Sequence, residues 1–215
     1  IDYCGAQDTP YARWLGRTFF YGMVSRGLFP GCIWRYVMIW RGGEERAKGE
    51  GLKALAGRWS GGIKSLRSDD REACMHLSNI WLGEITEMNA LRGAHADAAK
   101  EFLAAREDVF FLKHSNLKSS VPRRTVFVGT TNRERILDEE GEHTRFFPID
   151  VGAVNYKALT KDRDRLFAEA VHDYLEARQG DVEWWVVPDT LRNDLVEARV
   201  ISQYENVAIG PVEEY

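Results

Sequence analysis

The chain has 215 residues, a net charge of −4 and 44% hydrophobic residues, enough to bury one substantial core. The acidic balance excludes bulk attraction to nucleic acid, so any such binding needs a local patch. Three widely spaced cysteines (Cys4, Cys32, Cys74) and five scattered histidines give no zinc spacing, and no apolar run approaches the roughly 18 residues of a membrane span.

Leu15, Phe19, Met23 and Val24 recur at helical spacing, which predicts an amphipathic helix over 10–28, ended by Pro30-Gly31. Tyr36 to Trp40 is an apolar run that fits a buried strand. A helix opens at Gly51 to Leu55, and a short one covers 69–78, capped by Ser68 or Asp69. Ile80-Trp81-Leu82 predicts a second buried strand ending near Glu84, and 90–105 a helix. Residues 107–124 carry an apolar arm, a polar tip and a second arm, the pattern of a β-hairpin. TVFVG (125–129) and RFFPI (145–149) are a third and a fourth buried strand. A long helix over 156–178, an extended stretch from Glu183 to Val187 and a last helix over 189–203 complete the chain. Alternating strands and helices imply an α/β fold with a mainly parallel sheet. The expected division is an N-terminal helical segment (1–30), a core (31–153) and a C-terminal helical segment (154–215). The start at Ile1, with no signal-like stretch after it, reads as a fragment of a soluble, cytoplasmic protein.

Ligands of such sheets sit at the carboxyl ends of the strands. Three polar groups fall there: the Gly42–Lys48 loop, Glu84 with Glu87, and Thr130-Thr131-Asn132. An apolar strand, a glycine turn, a lysine and a helix make the frame of a phosphate-binding loop, whose backbone N–H groups wrap an anion at a helix N-terminus. Here the stretch reads WRGGEERAKGE, with three glutamates and no hydroxyl residue after Lys48. On its own it reads as an ordinary turn. Carboxylates past a buried strand can hold a metal or polarise water, or simply be solvated. An Asn after a strand can orient water on a terminal phosphate, or cap a helix. Together with the later Arg145, these groups form the part list of a ring-forming nucleoside triphosphatase.

The residues then resemble a known family. PGCIWRYVMIWRGGEERAKGEGLKALAGRW, WLGEITEMNALR, FLAAREDVFFLKH, RRTVFVGTTNRE, TRFFPIDVG and RDRLFAEAVHDYLEARQGDVEWW resemble, in order, the virulence-associated protein E family of phages, prophages and pathogenicity islands. The resemblance implies a P-loop NTPase of the AAA+, superfamily 3 helicase-like kind, serving replication of mobile DNA, often downstream of a primase-like domain. It implies ATP and Mg²⁺ as cofactors, a homo-oligomeric ring, and single-stranded or forked DNA as partner. It places Gly42, Gly43, Ala47, Lys48, Gly49 and Glu50 in the nucleotide loop, with Lys48 as its lysine. Glu84 and Glu87 become the acidic pair, Glu84 serving Mg²⁺ through ATP. Asn132 becomes the sensor and Arg145 the arginine finger. The hairpin falls where such helicases contact DNA, with Lys113, His114, Lys118, Arg123 and Arg124 as its basic residues; the alternative for that patch is a solubilising loop.

The loop departs from the family's GPQGIGKST. Glu45 and Ala47 stand at family glycines, and Gly49 and Glu50 at the hydroxyl residues. A side chain forced into left-handed geometry at Ala47 costs roughly 1–2 kcal/mol. A glutamate beside the anion at about 4 Å, with an effective dielectric near 20, opposes binding by about 4 kcal/mol. Phe111 and Asn89 also differ, where the family has Arg and Asp. Two readings follow: an ATP-driven replication helicase core, or a catalytically impaired relative serving assembly or DNA binding.

Overall fold

The structure, a computed structural model, describes residues 1–86, 96–111, 117–132, 144–180 and 185–203. Its first element is helix α1 (Pro10–Leu28), started by the Thr9 hydroxyl, which accepts from the Ala12 N–H at 3.1 Å, and by proline in the first turn. The strands β1 (Val37–Arg41), β2 (Ser60–Gly62), β3 (Leu82–Ile85), β6 (Val126–Thr131) and β7 (Phe146–Asp150) form one parallel sheet in the order β2-β3-β6-β1-β7. Strands β4 (Glu107–Phe111) and β5 (Lys118–Pro122) pair antiparallel as a separate hairpin. The helices are α2 (Lys48–Ala56), α3 (Arg71–Leu77), α4 (Ala96–Ala104), α5 (Tyr156–Gln179) and α6 (Arg192–Gln203). The fold is α/β, a parallel central sheet flanked by helices, as the alternating pattern predicts. No helix among the described residues is long and apolar enough to cross a membrane.

The two faces of the sheet follow from the strand period. Met38 and Trp40 point into one core with Tyr11, Leu15, Phe19 and Leu52, under α1, α2 and α5. Val37 and Ile39 point into the other, with Leu77, Phe102 and Phe127, under α3, α4 and the hairpin. Every residue of β1 is buried, as befits a central strand covered on both sides. Helix α1 differs from the amphipathic expectation. Its residues 21–26 are all buried, because α5 covers the second face, with Tyr21 and Val24 packed on Ala170 and Tyr174.

Three further differences are local. β2 is a glycine-rich edge strand with no apolar period to reveal it. The cap of α3 is Asp70, which accepts from the Ala73 N–H at 3.0 Å. The stretch expected to be extended over 183–187 joins no sheet where it is described: 185–187 turn into the last helix, and 181–184 lie outside the described residues.

Gly22 sits where α1 crosses Trp34. A Cβ there would lie 2.4–2.6 Å from three ring atoms of a buried side chain. Gly22→Ala gains about 1 kcal/mol of helix propensity, and overpacking costs about 1–3 kcal/mol. A lower urea midpoint is the expected result, and a higher one would show that Trp34 has room to move.

Candidate functional site

β1 ends at Arg41, and the loop begins at a glycine that packs close to β7's continuation: a Cβ on Gly42 would lie 2.6 Å from the Val151 carbonyl oxygen. The Gly42 N–H is held by the Thr131 carbonyl at 3.1 Å, and the Arg46 carbonyl accepts from the Val154 N–H at 2.9 Å. Among the described residues only Glu45 (φ 62°) and Ala47 (φ 55°) combine a side chain with positive φ. These are the two positions where the family pattern set out above has glycine and this chain does not. The loop therefore keeps the left-handed turns that glycine makes easily, at roughly 1–2 kcal/mol each. Lys48 opens α2 and folds back. Its Nζ donates to the Gly42 carbonyl at 2.7 Å and to the Gly43 carbonyl at 2.8 Å. Burial pushes its ammonium below the usual lysine range and Arg46 adds to this, while Glu44 and Glu84 pull the other way.

The strand order sets the rest. β6 lies between β3 and β1, so its end stands between the loop and Glu84. Thr130 Oγ1 donates to Glu84 Oε1 at 2.7 Å, and Asn132 Nδ2 donates to Glu44 Oε1 at 2.9 Å. A Cβ on Gly49 would lie 3.5 and 3.6 Å from the two Glu84 carboxylate oxygens. Lys48, Gly49, Glu84 and Asn132 thus come together at the carboxyl edge of the sheet. Glu50 turns outward and pairs with Lys53 at 2.7 Å, so its charge is partly answered instead of lying bare beside the loop.

Other expected residues lie elsewhere. Arg145 precedes β7, at the amino edge: its carbonyl accepts from the Val37 N–H at 2.8 Å, and its guanidinium donates to the Lys100 carbonyl. A five-residue strand separates it from the site edge, about 16 Å. Glu87, Lys113 and His114 lie outside the described residues. Lys118 and Arg124 are exposed. Arg123 is a correction. It is not part of an exposed basic patch, because it is buried against Asp108, with both side chains 1% exposed.

One contact at the site edge went unread in the sequence. Arg41, buried at the end of β1, grips Asp150 at the end of β7 with two hydrogen bonds of 2.9 Å. A bidentate pair of this kind fixes the two strand ends that flank the loop. The signal was present as a charge closing each of two apolar strands.

Three comparisons bear on this arrangement. A family model described as "Virulence-associated protein E-like domain" matches residues 1–203. The apo structure of the NrS-1 C-terminal region (305–718) is similar in fold with a TM-score of 0.50 and 13% identity, covering 74% of this chain and 42% of that one. An A-form apo structure of the same region gives 0.49 and 14%, covering 78% and 47%. The chain therefore spans less than half the length of the structures it resembles. No match was found among curated proteins.

Proposed function

We propose that this chain, which belongs to the virulence-associated protein E-like domain family, is the nucleotide-binding, helicase-like part of a replication protein of a phage or other mobile element. The observation that carries the reading is the gathering of Lys48, Gly49, Glu84 and Asn132 at one carboxyl edge, beneath a loop that keeps two left-handed turns despite its side chains. Such strain persists where the surroundings enforce it, commonly at a functional site.

The donor set fits an ATP phosphate chain in part. Lys48 would exchange its two loop carbonyls for phosphate oxygens, and the backbone N–H groups at the start of α2 would add donors. Glu84, oriented by Thr130, would hold water on Mg²⁺ or polarise it. Asn132 would face the terminal phosphate. Mg²⁺ would neutralise charge developing on the transferring group. Arg145 would act on the site of a neighbouring copy in a ring, since it stands apart from its own.

DNA contact is proposed for the outward face of the hairpin. Phe111 and Lys118 are partners in register there, both exposed, and Arg71 donates to the Phe111 carbonyl at 2.6 Å. Rings beside cations suit single-stranded bases and phosphates. Arg124, exposed beyond the second arm, would add to that face, and Lys113 and His114, outside the described residues, belong to the same proposal on the sequence alone. An upstream primase-like domain and a cytoplasmic setting belong to the same proposal. A second reading, an impaired relative serving assembly or DNA binding, is favoured by one observation: no hydroxyl stands at Gly49, beside Glu84.

Isothermal titration with Mg·ATP separates the two. This chain should bind, and Lys48→Ala should weaken binding about 10- to 100-fold, the worth of hydrogen bonds from a charged donor. Absence of binding by both, or equal binding by both, would count against the nucleotide reading.

A further inference from the structure

The donors that would meet a terminal phosphate are already engaged by the chain itself. Lys48 is held by two loop carbonyls. Asn132 Nδ2 is held by the carboxylate of Glu44 at 2.9 Å. Glu44 also acts on the Lys48 ammonium, raising its proton affinity together with Glu84. One exposed loop side chain thus reaches across to the end of β6 and offers, at the sensor position, a planar pair of anionic oxygens. A phosphate would offer the same chemistry there.

We infer that Glu44 is a built-in competitor for the terminal phosphate, so that this site discriminates against nucleoside triphosphate relative to diphosphate until Glu44 is displaced. The inference rests on the nucleotide-site reading above. Its physical basis is exchange. A triphosphate can take the Asn132 donor only when the carboxylate leaves, and it then lies close to a charge of its own sign. A diphosphate fills the loop around Lys48 without reaching Asn132. Differential occupancy of one donor is enough to change the ratio of the two affinities.

The test is titration of Mg·ATP and Mg·ADP into this chain, Glu44→Gln and Glu44→Ala. Glu44 is exposed, so neither change disturbs a core. Glu44→Gln keeps a side chain on Asn132 and removes the charge, while Glu44→Ala removes both. The expected result is a rise of about tenfold in the ATP-to-ADP affinity ratio for Glu44→Ala, and a rise in the same direction for Glu44→Gln. Equal gains for both nucleotides would overturn the inference, since they would report general charge alone. An unchanged ratio would also overturn it, and would leave the nucleotide reading standing. Failure of every variant to bind either nucleotide would remove the nucleotide reading and this inference with it. A second readout needs no nucleotide. Amide exchange over residues 42–48 should quicken in Glu44→Ala, because the loop loses its side-chain contact with the end of β6; unchanged exchange would overturn the inference, since Glu44 would then not be held at Asn132.

Discussion

Asp108→Ala is expected to destabilise the protein by about 3–5 kcal/mol, the cost of removing one partner of a buried ion pair. Asp108 and Arg123 are each 1% exposed. Arg123 Nε donates to the two Asp108 oxygens at 3.0 and 3.2 Å, and Nη1 donates to the Phe102 carbonyl. The guanidinium lies over the Phe102 ring, 4.7 Å from its centre. A second buried cation adjoins it. Arg26 Nη1 donates to the Arg123 carbonyl at 2.9 Å and Nη2 to the Trp34 carbonyl at 2.9 Å, while its Nε has no partner among the described residues. Burial pushes Arg26 down to about 10. Asp108 therefore answers the charge of a pocket holding two guanidinium groups. Its loss strands both. Urea unfolding should show a lower midpoint with an unchanged slope. The double variant Asp108→Leu/Arg123→Met should recover much of the loss, because an apolar replacement of the whole pair removes the stranded charge. A double variant no more stable than the single one would mean that Arg26 is the group Asp108 chiefly serves.

The same pair marks the limit of what the sequence discloses. VPRRT reads as a basic patch at the foot of a hairpin. In the structure Arg124 is exposed and Arg123 is buried, because neighbouring residues on extended chain face opposite ways. Which of the two faces inward depends on register, and here the register sets Arg123 against Asp108 on the opposite arm. The hairpin itself was legible, since an apolar arm, a polar tip and a second arm leave few alternatives. So were α1, β1, β6 and β7, each an apolar segment long enough to declare its period or its burial. β2 was not, because Ser60, Gly61 and Gly62 carry no apolar pattern and are held by pairing to β3. The loop was legible in its frame, and its strain through the resemblance: left-handed geometry at Ala47 is what the family's glycine there implies, and the structure has it. The direction of a side chain was not legible. Glu50 turns to Lys53, and Glu44 turns to Asn132. The place of Arg145 depends on topology. It precedes a strand parallel to β1, so it starts at the edge remote from the loop.

Of the four loop departures, Gly49 should govern metal-dependent binding. The strain at Glu45 and Ala47 belongs to the loop itself, which has both left-handed turns. Glycine at those positions would act on folding stability, where relief of roughly 1–2 kcal/mol per site is offset in part by the roughly 0.5–1 kcal/mol that glycine loses in conformational freedom. It should change affinity little, because the loop holds both turns without glycine. Glu50 is exposed and paired with Lys53, so its repulsion of an anion is screened and the full Coulomb cost expected from sequence does not apply. Gly49 has no such compensation. A Cβ there would stand 3.5 and 3.6 Å from the Glu84 oxygens, which brings a hydroxyl within reach of the same carboxylate and of any cation it would hold. Gly49→Ser should therefore tighten Mg·ATP by about 10- to 100-fold, the usual worth of a group that orients a metal site. It should leave metal-free ATP binding nearly unchanged. Gly49→Ala is the control, filling the same space with no oxygen. Titration with and without Mg²⁺ checks all three chains. A gain that Gly49→Ala reproduces, or one that persists without metal, would show that shape at the start of α2, and not a missing ligand, limits the site.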